Sequence, residues 1–334
     1  MIKIKLCELD KHRNECAFRP YLWAQNTLRE IGIEFTENSS YDYEWVAQAS
    51  IINKKVSLEE SVNSGLEFLS NITGDYMILD GQDSTSLIGT YEVFKESNAL
   101  LLMKNSLLKD RSLYKQKSAL GRYYWGDGDY VLENFDEYSD KIVLSGTNWL
   151  STHYAGINVQ WHDINRPKQY DVSAMFQYPS ITKSYEHGIQ SDFYDNYRRP
   201  AMDIINRLNT DIQVAKLIDG QRVSHEDYYN KVFNSKILFA PYGYGEMAPR
   251  DLEAAMFGSI LIKPDVFIDG ETYIACKHDF SDLEEKITKV LGNYNDYLYI
   301  VENARKKFIE SMHPNNLALH LHKIFKNLNG ITHE

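Results

Sequence analysis

A glycine-rich turn followed by a helix carries the residues best suited to chemistry in this 334-residue chain. Gly243 and Gly245 lie in the turn, and Pro249 stands where the helix should begin. Glycine adopts backbone conformations that other residues avoid, and it lets a ligand approach closely. The free N–H groups of a helix start favour anions. The spacing therefore predicts a site for a ligand that carries phosphate.

Two charged side chains follow in the first turns of the predicted helix. Arg250 and Glu253 are three residues apart and therefore share a face. A guanidinium can pair bidentately with a diphosphate, and a carboxylate one turn further on can accept hydrogen bonds from both hydroxyls of a ribose. The alternative is a solvated surface pair, which would contribute roughly 0.2–0.5 kcal/mol. The glycine turn in front of the pair favours a nucleoside diphosphate site.

The elements around these residues form a strand-loop-helix-strand unit. Residues 237–240 are a run of four apolar residues, which is typical of a strand that is buried on both faces. Gly258 suits the end of the helix, and residues 260–262 predict the next strand. This order places the turn at the carboxyl edge of a parallel sheet, where open α/β folds bind ligands.

The same segment resembles a known family. The run GYGEMAPRDLEAAMFGSILI, residues 243–262, is similar to the C-terminal domain of GT-B glycosyltransferases, in particular the exostosin-like and CgeB-like branch. The resemblance covers residues 166–305 and is faint before them. It implies an α/β chain of the GT-B type, with two Rossmann-like domains, a cleft between them and a C-terminal helix that crosses back to the first domain.

The resemblance also implies an activity. GT-B enzymes transfer a sugar from a nucleotide-diphosphate donor, such as a UDP- or GDP-sugar, to a hydroxyl group of a glycan or another acceptor. Here Glu253 is expected to bind the ribose hydroxyls of the donor and Arg250 its diphosphate, without a cofactor or a metal ion. Glu246 could contact the donor sugar or phosphates through the loop, and Tyr244 could stack on the base or pack within the loop.

The stereochemistry of transfer stays open. Retaining GT-B enzymes have two glutamates separated by seven residues, whereas six residues lie between Glu246 and Glu253. In the register that fits the retaining motif, Gly245 would stand at the first glutamate. This departure puts a retaining mechanism in doubt.

A second arginine is a candidate for the same ligand. Arg198 lies in the opening turns of a helix predicted over residues 194–208. A departing nucleoside diphosphate gains negative charge, which an enzyme without a metal must meet with arginine, lysine and backbone N–H groups. We therefore assign Arg198 to the donor site, with a solvated helix residue as the alternative.

A candidate base ends a strand of the N-terminal half. Residues 76–79 predict a buried strand that runs into the sequence DGQDS, in which Asp80 and Asp83 would face the cleft. An inverting transfer needs one carboxylate or histidine to take the proton of the acceptor hydroxyl. The alternative is a plain turn, since Asp, Gly and Ser favour turns.

The sequence predicts neither a metal site nor a nucleic-acid partner. The spacing of Asp80 and Asp83 differs from the D-x-D motif of metal-dependent GT-A transferases, and His320 and His322 would face different sides of a helix. The net charge of −11 argues against binding to a nucleic-acid backbone. Three scattered cysteines indicate a reducing compartment, and with no signal peptide or transmembrane span visible we expect a cytoplasmic protein.

The length predicts about two domains, and alternation of strands and helices predicts a parallel sheet in each. We place an acceptor-side domain at 1–165, the donor domain at 166–312 and a C-terminal helix at 313–334. The boundary follows the break at residues 165–168. Residues 85–150 show no clean period and are either an irregular aromatic connection or a wall for the acceptor.

Sugar transfer is the function that the resemblance favours, and two other functions stay open. One is a nucleotide-sugar epimerase on the same scaffold, since fold alone does not fix the chemistry. The other is a non-catalytic module that binds a nucleotide sugar or a glycan and retains Arg250 and Glu253.

Overall fold

The computed structural model describes residues 1–7, 11–53, 55–82, 84–116, 131–176, 191–217, 223–243, 245–265 and 270–331. The chain divides into two compact units. The first contains Met1–Ile157 and the C-terminal segment from Glu310, and the second contains the described residues between Asn158 and Ile309. Within the described ranges, no helix is both long and apolar enough to cross a membrane.

The first unit is built on a six-stranded parallel sheet in the order β2-β1-β3-β4-β5-β6. The strands are β1 (Ile2–Leu6), β2 (Ile33–Thr36), β3 (Tyr43–Ala47), β4 (Tyr76–Asp80), β5 (Leu102–Lys104) and β6 (Ile142–Leu144). Successive side chains of the central strands enter cores on opposite faces, with Trp45 and Met77 on one face and Val46 and Ile78 on the other. This is the burial expected of a parallel sheet covered on both sides.

The helices of the first unit include a C-terminal helix. They are α1 (Lys11–Trp23), α2 (Gln25–Glu30), α3 (Gln48–Ile51), α4 (Leu58–Leu69), α5 (Thr90–Glu96), α6 (Phe135–Tyr138), α7 (Trp149–Tyr154) and α13 (Pro314–Ile331). Leu321 and Phe325 of α13 pack in the same core as Trp45, and the rings of Phe325 and Trp45 are stacked. The expected return of the C-terminal helix to the first domain is thus confirmed.

The second unit holds a five-stranded parallel sheet in the order β11-β10-β9-β7-β8. Its strands are β7 (Tyr170–Ala174), β8 (Val214–Lys216), β9 (Ser235–Phe239), β10 (Ile260–Pro264) and β11 (Ile274–Cys276). Its helices are α8 (Ser191–Arg207), α9 (His225–Phe233), α10 (Pro249–Phe257), α11 (Leu283–Gly292) and α12 (Leu298–Ser311). Helices α8 and α11 pack on one face of the sheet, and α9 and α10 pack on the other. Two Rossmann-like α/β units are therefore present, as predicted.

Several local predictions differ from the structure. Residues 45–52 read as a strand from their sequence, but the strand ends at Ala47 and the chain continues as α3, because a short apolar run does not distinguish a strand from a buried helix. The spacing of Ser281 and Glu284 predicts a cap for the helix that follows, but the N-cap residue of α11 is Asp282 and no side-chain hydrogen bond caps the helix. Residues 85–150 are less irregular than expected, because α5, β6 and α7 lie at least partly within them.

The second unit begins before the predicted boundary at residue 166. His162 donates its backbone N–H to Met256 O at 2.9 Å, and Ile164 packs against the core of that unit. The segment before the proline break is therefore held by α10.

Candidate functional site

The strand order of the second unit locates the candidate site. The chain reverses its direction across the sheet between β7 and β9, and the helices that follow these two strands cover opposite faces. The loops after the two strands consequently diverge, which leaves a crevice at the carboxyl edge where open α/β sheets bind ligands. The predicted glycine turn follows β9 and therefore lies at this position.

Helix α10 begins at the crevice in a well-defined way. Pro249 opens the helix, where a missing N–H costs nothing. The Asp251 carboxylate accepts a hydrogen bond from the backbone N–H of Ala248 at 2.8 Å and so satisfies the helix start. Gly258 ends the helix with a φ of 68°, in the left-handed region that glycine adopts without strain. Both predicted ends of the helix are thus confirmed.

Lys263 ties the turn to the helix start. Its ammonium donates to Glu246 O at 2.6 Å and forms an ion pair with the Asp251 carboxylate, and its side chain is only 2% exposed. The sequence reasoning did not single out this residue. The available signal was one lysine inside the apolar run of β10, since a buried lysine needs a partner.

Arg250 reaches across the crevice between β7 and β9. Its Nη2 donates to Met175 O at 3.2 Å, and Met175 directly follows β7. Its Nε is buried and has no hydrogen-bond partner. A buried donor without a partner costs roughly 1–3 kcal/mol, more when it is charged. The guanidinium can therefore still bind an anionic oxygen at this edge.

Glu253 lies one turn further along α10 and is buried, with 6% of the residue exposed. Its Oε2 accepts a hydrogen bond from the Tyr228 hydroxyl of α9 at 2.7 Å. Burial raises the pKa of Glu253, while the bond from Tyr228 and the charge of Arg250 oppose the rise. Arg250 and Glu253 thus act on each other in a buried site and both interact with Tyr228, so the solvated surface pair considered above does not describe them.

Arg198 contacts the same loop from α8. Its Nε and Nη2 donate to Tyr242 O at 3.3 and 2.9 Å. Tyr242 is itself buried, and its hydroxyl donates to Asp265 O at 2.9 Å. The structure therefore brings Arg198 to the glycine turn, where it supports the loop backbone.

The turn itself departs from one expectation. The φ of Gly243 is not in the left-handed region, so the backbone conformation does not require glycine there. A Cβ at Gly243 would meet no atom within 4 Å, which leaves open space beside the loop. Gly245 and Glu246 are buried, and Tyr244 lies outside the described residues.

The predicted base has different surroundings. Asp80 ends β4 as expected, but its side chain is fully buried, and its Oδ1 contacts the Lys104 ammonium at 3.1 Å and the Gln82 N–H at 3.0 Å. Its Oδ2 is buried without a hydrogen-bond partner. Lys104 is also fully buried, and Asp83 lies outside the described residues. A carboxylate in this position holds two strands together.

Three cations surround the other end of α10. Arg305 donates to Ala255 O at 2.7 Å, while Arg166 and Lys168 both donate to Phe257 O. Positive charge at a helix C-terminus is stabilising. Burial and the charges of the two arginines lower the pKa of Lys168 to about 7. The sequence reasoning missed this cluster because its members are far apart in the chain.

Among the described residues, no group of three or more His, Cys, Asp or Glu side chains is arranged to hold a metal ion. Cys7 and Cys276 are both buried. His320 Nε2 lies 2.7 Å from Leu144 O in the first unit and so has a structural contact.

No protein-family model and no curated protein sequence matches the chain. Similar solved structures include HepE (Alr3699) of Anabaena in complex with UDP, which is 9% identical with a TM-score of 0.44, over 98% of this chain and 100% of that one. MnaA of S. aureus with UDP is 11% identical with a TM-score of 0.44, over 100% of this chain and 99% of that one. An α-glucosyltransferase in complex with UDP-glucose and DNA is 10% identical with a TM-score of 0.41, over 91% and 94% of the two chains. Such low values assign no function.

Proposed function

We propose that the chain is a glycosyltransferase that moves a sugar from a nucleotide-diphosphate sugar to a hydroxyl acceptor. One observation carries the proposal. At the crevice between β7 and β9, the Arg250 guanidinium contacts Met175 O and keeps a buried Nε without a partner. Planar guanidinium groups recognise phosphate through paired N–H donors. The position and the free donor both suit the diphosphate of such a donor sugar.

Glu253 supports recognition of the nucleoside. Its carboxylate is buried one turn from Arg250 and has one oxygen bound by Tyr228. Each carboxylate oxygen has two lone pairs, so the group keeps acceptor capacity for a pair of neighbouring hydroxyls. A ribose offers such a pair. Diphosphate and ribose would thus be bound by two residues of one helix.

The transfer step needs negative charge to be stabilised on the leaving nucleoside diphosphate. In our proposal Arg250 supplies a cation for this charge, and Arg198 and Lys263 hold the loop that surrounds it. We propose that no metal ion is needed, and we expect turnover to persist when EDTA is added. Loss of turnover in EDTA that divalent cations restore would contradict this part.

The donor site is tested by thermal melting of the full chain with UDP, GDP and the matching monophosphates and nucleosides. A ligand at about 100 times its Kd adds roughly 2.7 kcal/mol of stability. We expect at least one nucleoside diphosphate to raise the Tm, and its monophosphate to raise it less, because the β-phosphate contact with Arg250 is lost. If no nucleoside diphosphate raises the Tm, the proposal is wrong.

Turnover then separates the functions that share this site. Nucleoside diphosphate released from a nucleotide sugar, with the sugar attached to an added acceptor, indicates a transferase. Interconversion of the nucleotide sugar without any acceptor indicates an epimerase. Binding with no change of the nucleotide sugar across a panel of acceptors indicates a binding module.

A further inference from the structure

Tyr228 is the one side chain that donates a hydrogen bond to the Glu253 carboxylate among the described residues. The contact of 2.7 Å joins α9 to α10. Burial and the charge of Glu253 raise the pKa of Tyr228, while the Arg250 charge lowers it. The hydroxyl therefore stays protonated at neutral pH and acts as a donor.

Helix α9 holds Tyr228 in place from both sides. The helix start is capped by Ser224, whose Oγ accepts from the Asp227 N–H at 3.0 Å, so the first turn before Tyr228 is fixed. Val232, one turn later, is fully buried in the core that α9 shares with α10. The tyrosine ring also contacts the ring of Tyr229 edge-on. The hydroxyl is thus presented to Glu253 by a rigid element.

Hydroxyl groups of a ligand donate most strongly to a carboxylate that is ionised and correctly oriented. Burial favours the neutral form of Glu253, and the bond from Tyr228 favours the ionised form. The same bond occupies one lone pair of Oε2 and fixes the rotation of the group, which leaves Oε1 for the ligand.

We propose that Tyr228 is a positioning residue that orients the Glu253 carboxylate and keeps it ionised for the two neighbouring hydroxyls of a ribose. This inference rests on the proposed function of the site. It adds a residue from a second helix to the recognition of the nucleoside. It also predicts that removing the Tyr228 hydroxyl and removing the ribose hydroxyls have non-additive effects on binding affinity.

The test compares Tyr228→Phe with the wild-type chain in binding UDP, GDP and their 2′,3′-dideoxy analogues. Loss of a hydrogen bond to a charged group predicts about a 10-fold weaker Kd for the natural ligand. The ratio of the Kd of the dideoxy analogue to the Kd of the natural ligand should be smaller in the variant. The reason is that loss of the Tyr228 hydroxyl and loss of the ribose hydroxyls both act on the Glu253 carboxylate. Tyr299→Phe is the control, since it removes the hydroxyl of an exposed tyrosine on α12 of the same unit, and it should leave both Kd values unchanged.

The pH profile of binding gives a second readout. Without the Tyr228 donor, the pKa of the Glu253 carboxyl group should rise further. As the pH is lowered, binding should therefore begin to weaken at a higher pH in the variant than in the wild type. The other groups that act on Glu253 are Arg250, Asp251 and His225, and Tyr229 also faces it. Because His225 is itself titratable, the profiles are repeated in a His225→Gln background.

Each outcome decides between the proposals. A wild-type chain that binds neither UDP nor GDP overturns the proposed function and this inference together. Wild-type binding with an unchanged Kd, pH profile and dideoxy preference in Tyr228→Phe overturns only the inference. An equal loss for natural and dideoxy ligands, without a shifted pH profile, indicates a merely structural tyrosine and also overturns it.

Discussion

The carboxyl edges of the two sheets both hold charged side chains, but the charges are used differently. In the first unit, Asp80 and Lys104 are fully buried and contact each other at 3.1 Å. In the second unit, Arg250 and Glu253 have neutral hydrogen-bond partners, Met175 O and the Tyr228 hydroxyl. Asp80 and Lys104 neutralise each other in direct contact, whereas Arg250 and Glu253 act on each other through their charges and keep hydrogen-bonding capacity for a ligand.

The second unit contains both arrangements side by side. Lys263 and Asp251 form a buried ion pair of the kind seen in the first unit, immediately next to the residues assigned to the ligand. The base role of Asp80 stays a prediction, and taking up a proton there would remove the charge that Lys104 contacts. The comparison therefore separates residues that hold an edge together from residues that can bind.

The largest effect is expected from Lys104→Met. This change leaves Asp80 as a buried charge without its partner, and breaking a buried pair in this way costs about 3–5 kcal/mol. Urea unfolding should show this loss, while the Kd for a nucleoside diphosphate should stay the same because the change lies in the first unit. The double variant with Asp80→Asn should recover much of the stability. Lys115→Met, which breaks an exposed pair with Asp136, should cost less than about 1 kcal/mol.

Lys263→Met should cost a similar amount of stability, about 3–5 kcal/mol, because Asp251 loses its buried partner. Unlike Lys104→Met, it should also weaken nucleoside diphosphate binding, since Glu246 O loses the bond that fixes the turn. Lys236→Met is the control within the same unit, because its pair with Asp171 is partly exposed. Unchanged affinity in the Lys263 variant would mean that the turn does not contribute to the site.

Arg250→Ala should reverse the pattern seen for Lys104. The affinity for the nucleoside diphosphate should fall by about 1.5–3 kcal/mol, the range for hydrogen bonds to charged groups. Stability without ligand should fall by less than in Lys104→Met, because the lost bond to Met175 O is offset in part by removal of a buried donor that has no partner. Binding is measured by calorimetry, with Arg207→Ala, an exposed arginine of α8, as the control. An unchanged Kd would remove Arg250 from the site.

The sequence predicted what depends on local pattern and missed what depends on distant partners. The spacing of Ser57 and Glu60 is that of a capping box, and Ser57 Oγ does accept from the Glu60 N–H at the start of α4. This cap and the ends of α10 were predictable, because a capping side chain and a terminal glycine act on their own helix. The burial of Asp80 beside Lys104 was not predictable, because the two residues meet only through the pairing of β4 with β5. Tyr228 was missed for the same reason, since its partner Glu253 belongs to another helix.

The smallest effect is a pH dependence that belongs to Glu253. Burial raises the pKa of this carboxyl group above its ordinary value. A group whose pKa is raised on folding contributes stability that is fully present below its unfolded pKa and is lost as the pH rises through its folded pKa. Glu253 should therefore lower the stability of the unliganded chain as the pH rises through the folded pKa of this group.

Ligand binding should have the opposite slope, because the ribose hydroxyls need an ionised carboxylate. Glu253→Gln should remove both the pH dependence of stability and the pH dependence of affinity that belong to this group. The free energy of unfolding is measured from acidic to neutral pH in both proteins, and the difference between wild type and variant isolates Glu253 from the other carboxylates. Glu226→Gln changes an exposed acid on α9 and should leave both slopes in place. Two results together would contradict this prediction: a stability difference between wild type and Glu253→Gln that does not change with pH, and an affinity that still rises with pH in the variant. They would show that another residue titrates and that Glu253 does not belong to the ligand site of the second unit.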